Sequence, residues 1–512
     1  MTLAADASAT TPADPPTTPS TTGPVGTFDS LDPATGEVLA THPVHGPEAV
    51  QAAVDRAREA ALWWQAQGWQ GRREHLRAWK GELARGLHEL ADLVHLENGK
   101  PHADAVLEVA LAVDHVEWAA RHAPKVLGRR RVASGLMAAN QTAYLEYQPL
   151  GVIGVIGPWN YPVFTPMGSL AYALAAGNAV VFKPSEHTPG VGLWLAQAWA
   201  RAVPQRPEVL QVVTGLGETG AALTRAGVDK IAFTGSAATG RKVMAACAEG
   251  LVPVLMECGG KDAMIVDDDA DVPAAAEAAL WGAMSNAGQT CIGIERVYAT
   301  DAVYDAFVRE LSAQAASLRP GSDRAADYGP ITMPGQLDVI RRHIAGALAD
   351  GGRALTGGGV EGALVEPTVL VDVPESSAAV REETFGPTVT VARVRDVEEA
   401  LQRTNATTYG LAGAVFTGSK RRGIAIAERM RSGMTSVNSV IAFAAVPSLP
   451  FGGVGDSGFG RIHGEDGLKE FTRAKAITAQ RFALPTPLLS FRRHPGLTDQ
   501  LATVVALLHG RR

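Results

Sequence analysis

The chain has 512 residues, and its 46 Lys and Arg against 53 Asp and Glu give a formal net charge of −7. At about 150 residues per domain, this length predicts several domains with sizeable cores. A net acidic chain without clustered basic residues is a poor binder of nucleic acid. No stretch approaches the roughly 20 apolar residues of a membrane span, and three cysteines cannot build a disulfide framework. The composition therefore predicts a cytoplasmic enzyme.

The chain opens with a Thr-, Pro- and Ala-rich stretch, which predicts a disordered tail over residues 1–27. The first basic residue is Arg56, so the early positive charge of a secretory signal or mitochondrial presequence is missing. Apolar residues then recur at helical spacing from Pro47 to about Val126, which predicts amphipathic helices there.

From Leu150 the chain alternates short β-branched runs with helical segments, a texture typical of a doubly wound α/β sheet. The first five predicted strands lie at 151–158, 178–184, 209–215, 230–235 and 252–260. A second series lies at 263–266, 295–299, 388–394, 414–417 and 435–438. We therefore predict two α/β lobes, with the first sheet ending near Glu257.

Cys291 lies in the segment SNAGQTCIGIERVY, where Gly, Ser and Asn favour a loop whose amides can approach a ligand. Its thiolate would be a nucleophile, provided that a nearby base or a lowered pKa generates it. A lone cysteine can equally be an inert buried thiol. That second interpretation is the one we favour for Cys247, in a helical stretch, and for Cys258.

Glu257 ends the apolar run VPVLMECGG. A carboxylate at the carboxyl end of a buried strand is desolvated, which raises its pKa towards the range of a general base. Ligands of open α/β sheets also bind at this edge. The alternative interpretation is a structural salt bridge between Glu257 and Lys261.

Three further segments follow predicted strands. Asn160, in the turn GPWNYP, offers an amide donor of the type that stabilises a developing oxyanion. The segment FTGSAATG is a strand–Gly–helix junction, which favours phosphate, although it lacks the spacing GxGxxG. Lys183 and Glu186 end another strand, where a carboxylate can bind both hydroxyls of an adenosine ribose and repel a 2′-phosphate.

Two further segments contain residues that are also typical of other kinds of catalytic site. The tetrapeptide GDSG at 455–458 matches a serine-protease nucleophile, but its glycine-rich surroundings favour a surface loop. His463 is predicted to be a loop histidine. No His, Cys and carboxylate spacing predicts a metal site.

Taken in order, these motifs resemble the aldehyde dehydrogenase superfamily over about residues 28–477. They are PWNYP, GNAVVFKPSE, FTGSAATG, ECGGKD, NAGQTC, EETFGP and PFGGVGDSGFGR. The spacing between Glu257 and Cys291 also matches the family. Within it, the segments CIGIERVY and FTGSAATG and the final GRR are most similar to NAD(P)-dependent succinate-semialdehyde dehydrogenases of the actinobacterial kind.

The resemblance implies a role for each matching residue. Cys291 would be the nucleophile and Glu257 the general base, while Asn160 and the backbone N–H of Cys291 would hold the oxyanion. The cofactor would be NAD, with NADP as the alternative, bound by Trp159, Lys183, Glu186, Gly215, Ser236, Glu383 and Phe385. The implied reaction oxidises a small-molecule aldehyde to its carboxylic acid through a thiohemiacetal and a thioester on Cys291.

The resemblance also implies the domain plan. A Rossmann-like NAD(P)-binding domain would span 28–134 and 150–257, an α/β catalytic domain 258–473, and a small β oligomerisation arm 135–149 and 474–490. We therefore expect a homodimer or a dimer of dimers. Residues 491–512 form a predicted amphipathic tail that packs on a partner subunit or on the enzyme body, with membrane-surface contact as the alternative.

Three positions depart from the family pattern. Cys258 replaces a usual Leu, and Arg473 stands where many members carry a second acidic residue. Gly168, at a position that is bulky in small-aldehyde enzymes, predicts a wide substrate tunnel. The alternatives to a general aldehyde oxidoreductase are a succinate-semialdehyde dehydrogenase, a CoA-acylating member, which typically lacks the base at 257, and a non-catalytic member of the fold.

Overall fold

A computed structural model describes residues 23–323, 325–484, 490–491 and 493–510. The described chain begins with an antiparallel hairpin of β1 (Gly26–Leu31) and β2 (Val38–Val44). Gly26 and Thr27 already pair with β2, so the predicted tail extended two residues too far at this end. The rest of that prediction, over residues 1–22, lies outside the described residues.

Four helices follow the hairpin, as the helical spacing of the sequence predicted. They are α1 (Pro47–Ala66), α2 (Gly68–Arg85), α3 (Leu87–Asn98) and α4 (His102–Leu127). Their apolar faces bury two tryptophans completely, and both keep a hydrogen-bond partner. Trp64 donates to the carbonyl of Leu174 at 2.9 Å, and Trp79 donates to that of Leu195 at 3.3 Å. These bonds attach α1 and α2 to the helices that carry Leu174 and Leu195, which pack on the first of the two mainly parallel sheets.

The first sheet has six strands in the order β19-β9-β8-β5-β6-β7. Five of them are the predicted parallel strands β5 (Val152–Ile156), β6 (Ala179–Lys183), β7 (Leu210–Val212), β8 (Lys230–Gly235) and β9 (Val254–Cys258). Helices α5 (Phe164–Ala176), α6 (Pro189–Ala202), α7 (Gly217–Arg225) and α8 (Ala237–Glu249) connect them. The sixth strand, β19 (Gly458–Phe459), pairs antiparallel with β9 and was not predicted.

Both faces of this sheet are covered, which is why its strands are continuous apolar runs in the sequence. Alternate side chains of β6 enter two different cores, as the two-residue period of a strand requires. Val180 and Phe182 pack with residues of α2 to α6, whereas Ala179 and Val181 pack with residues of α1, α7 and α8.

The second sheet has seven strands in the order β12-β15-β16-β11-β10-β17-β18. They are β10 (Asp262–Val266), β11 (Ile294–Thr300), β12 (Arg353–Thr356), β15 (Thr368–Val371), β16 (Thr388–Val394), β17 (Gly413–Phe416) and β18 (Ser436–Val437). All of the pairs are parallel except that of β12 with β15. The sequence predicted five of these strands and missed β12 and β15.

Shorter elements complete this lobe. A hairpin of β13 (Val360–Glu361) and β14 (Leu364–Val365) precedes β15. The helices are α9 (Val272–Met284), α10 (Tyr304–Ala315), α11 (Pro334–Ala349), α12 (Ala378–Arg381), α13 (Val397–Asn405), α14 (Lys420–Ala427) and α15 (Gly464–Glu470).

A separate antiparallel sheet joins two distant parts of the chain. Its order is β20-β4-β3, formed by β3 (Arg130–Val132), β4 (Gln141–Pro149) and β20 (Thr472–Gln480). Strand β20 starts two residues before the predicted arm segment 474–490 and ends well short of it, and residues 485–489 lie outside the described part.

The last described element is the amphipathic helix α16 (Leu497–His509). None of its residues is buried, and Leu507 and Leu508 are 68% and 55% exposed. Packing of this helix on the body of its own chain is therefore wrong as far as the described residues go. Among the described residues, no helix combines the length and the apolar character that a bilayer span requires.

Candidate active site

One large cleft, with a volume of about 1070 Å³, opens at the carboxyl ends of the first sheet's strands. Residues that follow β5, β6, β8 and β9 line one side of it. The segments around Cys291 and Glu383, from the second lobe, line the other side. The cleft thus lies where open α/β sheets bind ligands, and it brings together most of the predicted site residues.

Cys291 lies three residues after a tight left-handed turn, in which Asn286, Ala287 and Gly288 all have positive φ. The turn delivers the cysteine, which is partly exposed, to the cleft. Burial of its sulfur raises the pKa of the thiol well above its usual value, and the negative charge of Glu383 adds to this effect. The thiol is therefore protonated at neutral pH and needs a base to become a nucleophile.

Glu257 is the last residue but one of β9, which ends at Cys258. It is only 3% exposed and lines the same cleft. Neither of its carboxylate oxygens has a hydrogen-bond partner within the described structure. Burial raises its pKa well above the ordinary value, and this outweighs the opposing charge of Arg461. The alternative of a salt bridge to Lys261 is wrong, because Lys261 pairs with Glu295 instead.

Asn160 lies in the turn between β5 and α5 and is 4% exposed. Its Nδ2 donates one hydrogen bond to the carbonyl of Gln289 at 2.9 Å, which leaves the second N–H of the amide for a ligand. This bond links the amide directly to the segment that carries Cys291.

The support beneath Asn160 was missed by the sequence analysis. Lys100 is fully buried and donates through Nζ to the carbonyl of Asn160 at 2.8 Å and to Glu108 at 2.5 Å. The other carboxylate oxygen of Glu108 accepts the backbone N–H groups of Val163 and Phe164 at 2.8 and 3.1 Å. The available signal was Glu108 itself, a charge between the buried positions 105, 109 and 112 of α4.

Lys183 and Glu186 lie together at the end of β6, with 3.2 Å between Nζ and Oε2. Burial works against ionisation of Glu186, but the charges of Lys183 and His187 and the hydrogen bonds to the carboxylate together outweigh it, so the pKa of the carboxyl lies below its usual value. A carboxylate held charged in this position suits a pair of ribose hydroxyls.

Ser236 caps the N-terminus of α8 by accepting the N–H of Thr239 at 3.3 Å. It lies in the cleft directly after Gly235, the end of β8. The exposed amides of a helix N-terminus and the adjacent glycine give this place the features of a phosphate site.

Glu383 accepts the N–H of Gly260 at 3.0 Å, and burial raises the pKa of its carboxyl to about 8. It packs so closely on Gly259 that any side chain there would overlap the carboxylate. Phe385, with a φ of 51°, sets its ring edge-to-face on Trp159 at 5.5 Å. Together with Lys183 and Ser236, the residues Glu383, Phe385 and Trp159 fit a dinucleotide bound along the cleft.

Gly215 is the exception among the predicted cofactor residues. It is buried, with a φ of 147° and no room for a side chain beside Thr219. The cleft is lined instead by Gly217 and Gly220, one turn further along at the start of α7.

The other residues singled out in the sequence take structural positions. Ser457 of the GDSG segment is fully buried, donating to the carbonyl of Gly259 at 2.8 Å and accepting the N–H of Gly410 at 3.0 Å. Arg473 is exposed on β20, paired in register with Gln148 of the arm, and does not line the cleft. Cys247 and Cys258 are buried, and burial raises their thiol pKa values to about 11 and about 12.

His463 differs most from its expectation. It precedes α15, as a loop residue would, but it is completely buried and its ring lies 3.9 Å from that of His115. It fills the space beside Gly168, where a side chain would meet its Nε2 at 2.6 Å. The room that Gly168 was expected to give to a substrate tunnel is therefore occupied by His463.

The two lobes and the large cleft at the carboxyl ends of the first sheet's strands are typical of an enzyme that binds a nucleotide. The family model described as "Aldehyde dehydrogenase family" matches residues 20–477. The chain belongs to the aldehyde dehydrogenase family. Its members are oxidoreductases that act on aldehydes and use NAD or NADP.

Several curated relatives are similar over most of their length. A 4,4'-diapolycopene aldehyde oxidase of Methylomonas sp is 36% identical over 461 residues, which cover 90% of this chain and 87% of that protein. A Mycobacterium ulcerans protein named as a succinate-semialdehyde dehydrogenase [NADP(+)] is 38% identical, with 91% and 90% covered. A glutarate-semialdehyde dehydrogenase of Pseudomonas putida is 36% identical, with 88% and 94% covered.

Solved structures agree with this assignment. The lactaldehyde dehydrogenase of Escherichia coli superposes with a TM-score of 0.85 at 30% identity, covering 89% of this chain and 96% of that one. PnpE in complex with nicotinamide adenine dinucleotide gives a TM-score of 0.86 at 33% identity, with 91% and 96% covered. The α/β fold class expected from the sequence is confirmed, and so is the use of NAD or NADP.

Proposed function

We propose that Cys291, Glu257 and Asn160 carry out the oxidation of an aldehyde to its carboxylic acid in this enzyme. The observation that carries the proposal is Glu257: a buried carboxylate without a hydrogen-bond partner, in the same cleft as a thiol that burial holds protonated. A desolvated carboxyl of this kind is a stronger base than an ordinary one.

In the first half of the reaction Glu257 accepts the proton of the Cys291 thiol, directly or through one water. The thiolate attacks the aldehyde carbon, and the carbonyl oxygen becomes the alkoxide of a thiohemiacetal. The free N–H of the Asn160 amide would donate to that oxygen, a contribution typically worth about 10²–10³ in rate. The nicotinamide, when bound, supplies the hydride acceptor that turns this adduct into a thioester.

Before the second half, Glu257 releases the thiol proton to solvent. It then takes a proton from a water molecule, and that water attacks the thioester carbon. The resulting oxyanion collapses and the carbon–sulfur bond breaks. The carboxylic acid is released, and Cys291 returns to the thiolate. A base at 257 is what this hydrolysis needs, and it argues against transfer of the acyl group to CoA. It also argues against a non-catalytic role, since nucleophile and base are both present.

For the cofactor we propose that Lys183 and Glu186 hold the adenosine ribose and that Ser236 faces the pyrophosphate. Glu383 would hold the nicotinamide ribose, with Phe385 and Trp159 beside the ring. The support is the position of these residues along one cleft and the charged state of Glu186. Because that carboxylate would repel a 2′-phosphate, we propose NAD as the preferred cofactor.

We further propose the domain plan given by the sequence, in which the three-stranded sheet β20-β4-β3 is an oligomerisation arm of a cytoplasmic homodimer or dimer of dimers. The support is the exposure of that sheet, which projects side chains of β20 into solvent, and the uncovered apolar side chains of α16. Light scattering of the full chain, compared with a chain lacking residues 491–512, tests whether α16 packs on a partner subunit.

The catalytic roles are tested with Glu257→Gln and Cys291→Ala. With NAD and an aldehyde in excess, Glu257→Gln is expected to form at most one NADH per site, more slowly than the unmodified enzyme because the Cys291 thiol lacks its base, and then to stall. Mass spectrometry of the quenched protein should show the acyl group on the peptide that carries Cys291. Cys291→Ala should give neither NADH nor adduct. Undiminished turnover by Glu257→Gln would overturn its role as the base for hydrolysis.

A further inference from the structure

The end of the cleft that contains Cys291 has apolar walls. Leu411 and Phe451 line it beside the thiol, and Phe164 and Phe443 belong to the hydrophobic core directly behind. The Phe451 ring lies 6.4 Å from that of Phe443 and 5.4 Å from that of His463. We call this region, formed by Asn160, Thr165, Glu257, Cys291, Leu411 and Phe451, the aldehyde end of the cleft.

Two histidines in the core behind this wall carry no positive charge at neutral pH. His115 and His463 are buried against each other, with their ring centroids 3.9 Å apart. Burial lowers the pKa of His115 to about 4 and that of His463 well below its ordinary value. Both rings are therefore neutral aromatic groups in the core behind Phe451.

The buried cations of the described structure are all engaged elsewhere. They are Arg72, Lys100, Lys183, Lys230, Lys261 and Arg296. The one that lies nearest to Asn160 is Lys100, and it is neutralised by Glu108. Arg461, whose charge acts on Glu257, is not among the residues that line the cleft and donates to the carbonyls of Gly453 and Gly460 at 2.9 and 2.6 Å.

In the part of the chain that the structure describes, the titratable side chains around the thiol are carboxyl groups and include no cation. The carboxyl groups of Glu383, Asp262 and Glu257 all oppose ionisation of Cys291. A substrate that brought a carboxylate here would lose hydration of that charge without gaining a cation, which disfavours its binding. A neutral hydrocarbon chain would lose nothing of this kind and would bury apolar surface against Leu411 and Phe451.

We propose that this enzyme takes aldehydes with a neutral, apolar acyl group and discriminates against semialdehydes that carry a second, ionised carboxylate. The inference rests on the proposed function, since it assumes that the aldehyde reacts at Cys291. Similarity does not decide the matter, because the relatives are named for substrates of both kinds. The absence of a cation at the aldehyde end of the described structure decides it here.

The test compares three aldehydes of similar length: hexanal, 5-oxopentanoate and its methyl ester, methyl 5-oxopentanoate, which is one atom longer. The full-length enzyme with saturating NAD is expected to give a kcat/KM for 5-oxopentanoate that is lower by about 100-fold or more than for the other two. The methyl ester separates the effect of charge from that of oxygen atoms. Equal or faster turnover of 5-oxopentanoate would overturn the inference and leave the proposed function intact. No turnover of any of the three by folded, NAD-binding enzyme would instead overturn the proposed function for aldehydes of this size.

A pair of variants at Thr165 tests the cause. Thr165 lines the aldehyde end and is 9% exposed. Thr165→Lys places a cation there, and Thr165→Met adds a side chain of similar length without charge. Thr165→Lys is expected to raise the ratio of kcat/KM for 5-oxopentanoate to that for hexanal by at least about 10-fold relative to Thr165→Met. Equal ratios in the two variants would show that charge at this end does not set the specificity. If Thr165→Lys does not fold, the three-substrate comparison on the unmodified enzyme still decides the proposal.

Discussion

Lys100 and Glu108 form a completely buried ion pair, with 2.5 Å between Nζ and Oε2, directly beneath the turn that carries Asn160. The pair joins the connection between α3 and α4, and α4 itself, to the backbone of that turn at three points: the carbonyl of Asn160 and the N–H groups of Val163 and Phe164. The Lys100 ammonium also lies 3.9 Å from the centroid of the Tyr161 ring. Two charges that lie outside the cleft thus fix the amide on which the proposed oxyanion depends.

Lys100→Met should therefore damage both stability and rate. Removing one member of a buried pair leaves an uncompensated charge, at a cost of about 3–5 kcal/mol. A small displacement of the Asn160 amide should lower kcat by about 10–100-fold with little change in KM. Adding Glu108→Gln should recover part of the loss in melting temperature, because a glutamine oxygen still accepts the two backbone N–H groups.

The matched control for that experiment is Lys80→Met, since Lys80 pairs with Glu117 at 2.8 Å but is 31% exposed. An exposed pair contributes at most about 1 kcal/mol, so this variant should melt and turn over like the unmodified enzyme. Identical behaviour of Lys100→Met and Lys80→Met would show that the buried pair does not position Asn160.

This support illustrates what the sequence could and could not predict. Strands β5, β6 and β8 were predicted because a strand buried on both faces is a continuous apolar run. Strand β12 escaped because it is a partly exposed edge strand without a continuous apolar run, whereas β15 has such a run, TVLV, and was predictable from it. The two-residue β19 is defined only by its pairing with β9, far away in the chain. The local sequence pattern does not show which distant strands will pair.

The same limit applies to side chains. The predicted site residues lie next to strand ends or in glycine-rich turns, which are local features, and most of them line the cleft. Lys100 and His463 instead have neighbours that only the tertiary structure brings close. Lys100 looks like an ordinary helix-flanking charge in sequence, and His463 becomes buried because Gly168 leaves room for its ring.

Glu257→Gln should stabilise the enzyme as it removes activity. The pKa of Glu257 is raised in the folded protein, so the native state binds this proton more tightly than the unfolded state, whose value is near the ordinary 4.5. Between that pH and the raised pKa, stability must fall as the pH rises. The variant lacks this group, so its melting temperature should exceed that of the unmodified enzyme by a few degrees at pH 8 and match it near pH 4.5.

Melting curves from pH 4.5 to 8 measure this effect, with Glu249→Gln as the control at an exposed carboxylate whose side chain is 68% accessible. The difference between Glu257→Gln and the unmodified enzyme should grow with pH, and Glu249→Gln should show no such trend. A difference that is constant with pH would mean that the Glu257 carboxyl is not the group that titrates.

Glu186→Ser should relax the preference for NAD. In the unmodified enzyme the ionised Glu186 beside Lys183 is expected to repel the 2′-phosphate of NADP. Removing the carboxylate leaves the Lys183 ammonium free to attract that phosphate. The ratio of kcat/KM for NADP to that for NAD should therefore rise by about 10-fold or more. Glu218→Ser removes an exposed acidic residue from the first turn of α7 and should leave the ratio unchanged. A ratio that Glu186→Ser does not move would place the adenosine ribose elsewhere.

The pair of His115 and His463 should make the enzyme sensitive to acid. Burial lowers both pKa values in the folded protein, to about 4 for His115, whereas the unfolded chain takes up these protons near 6.5. Unfolded chains therefore bind more protons below pH 6.5, and stability must fall as the pH drops from 6.5 towards 4. His463→Leu removes one of the two groups and both of its unpartnered ring nitrogens. The decrease in melting temperature between pH 7 and pH 5 should consequently be smaller in His463→Leu than in the unmodified enzyme. His494→Leu, at an exposed histidine, should retain the full decrease. An equal decrease in all three proteins would assign the acid sensitivity to groups other than this buried pair.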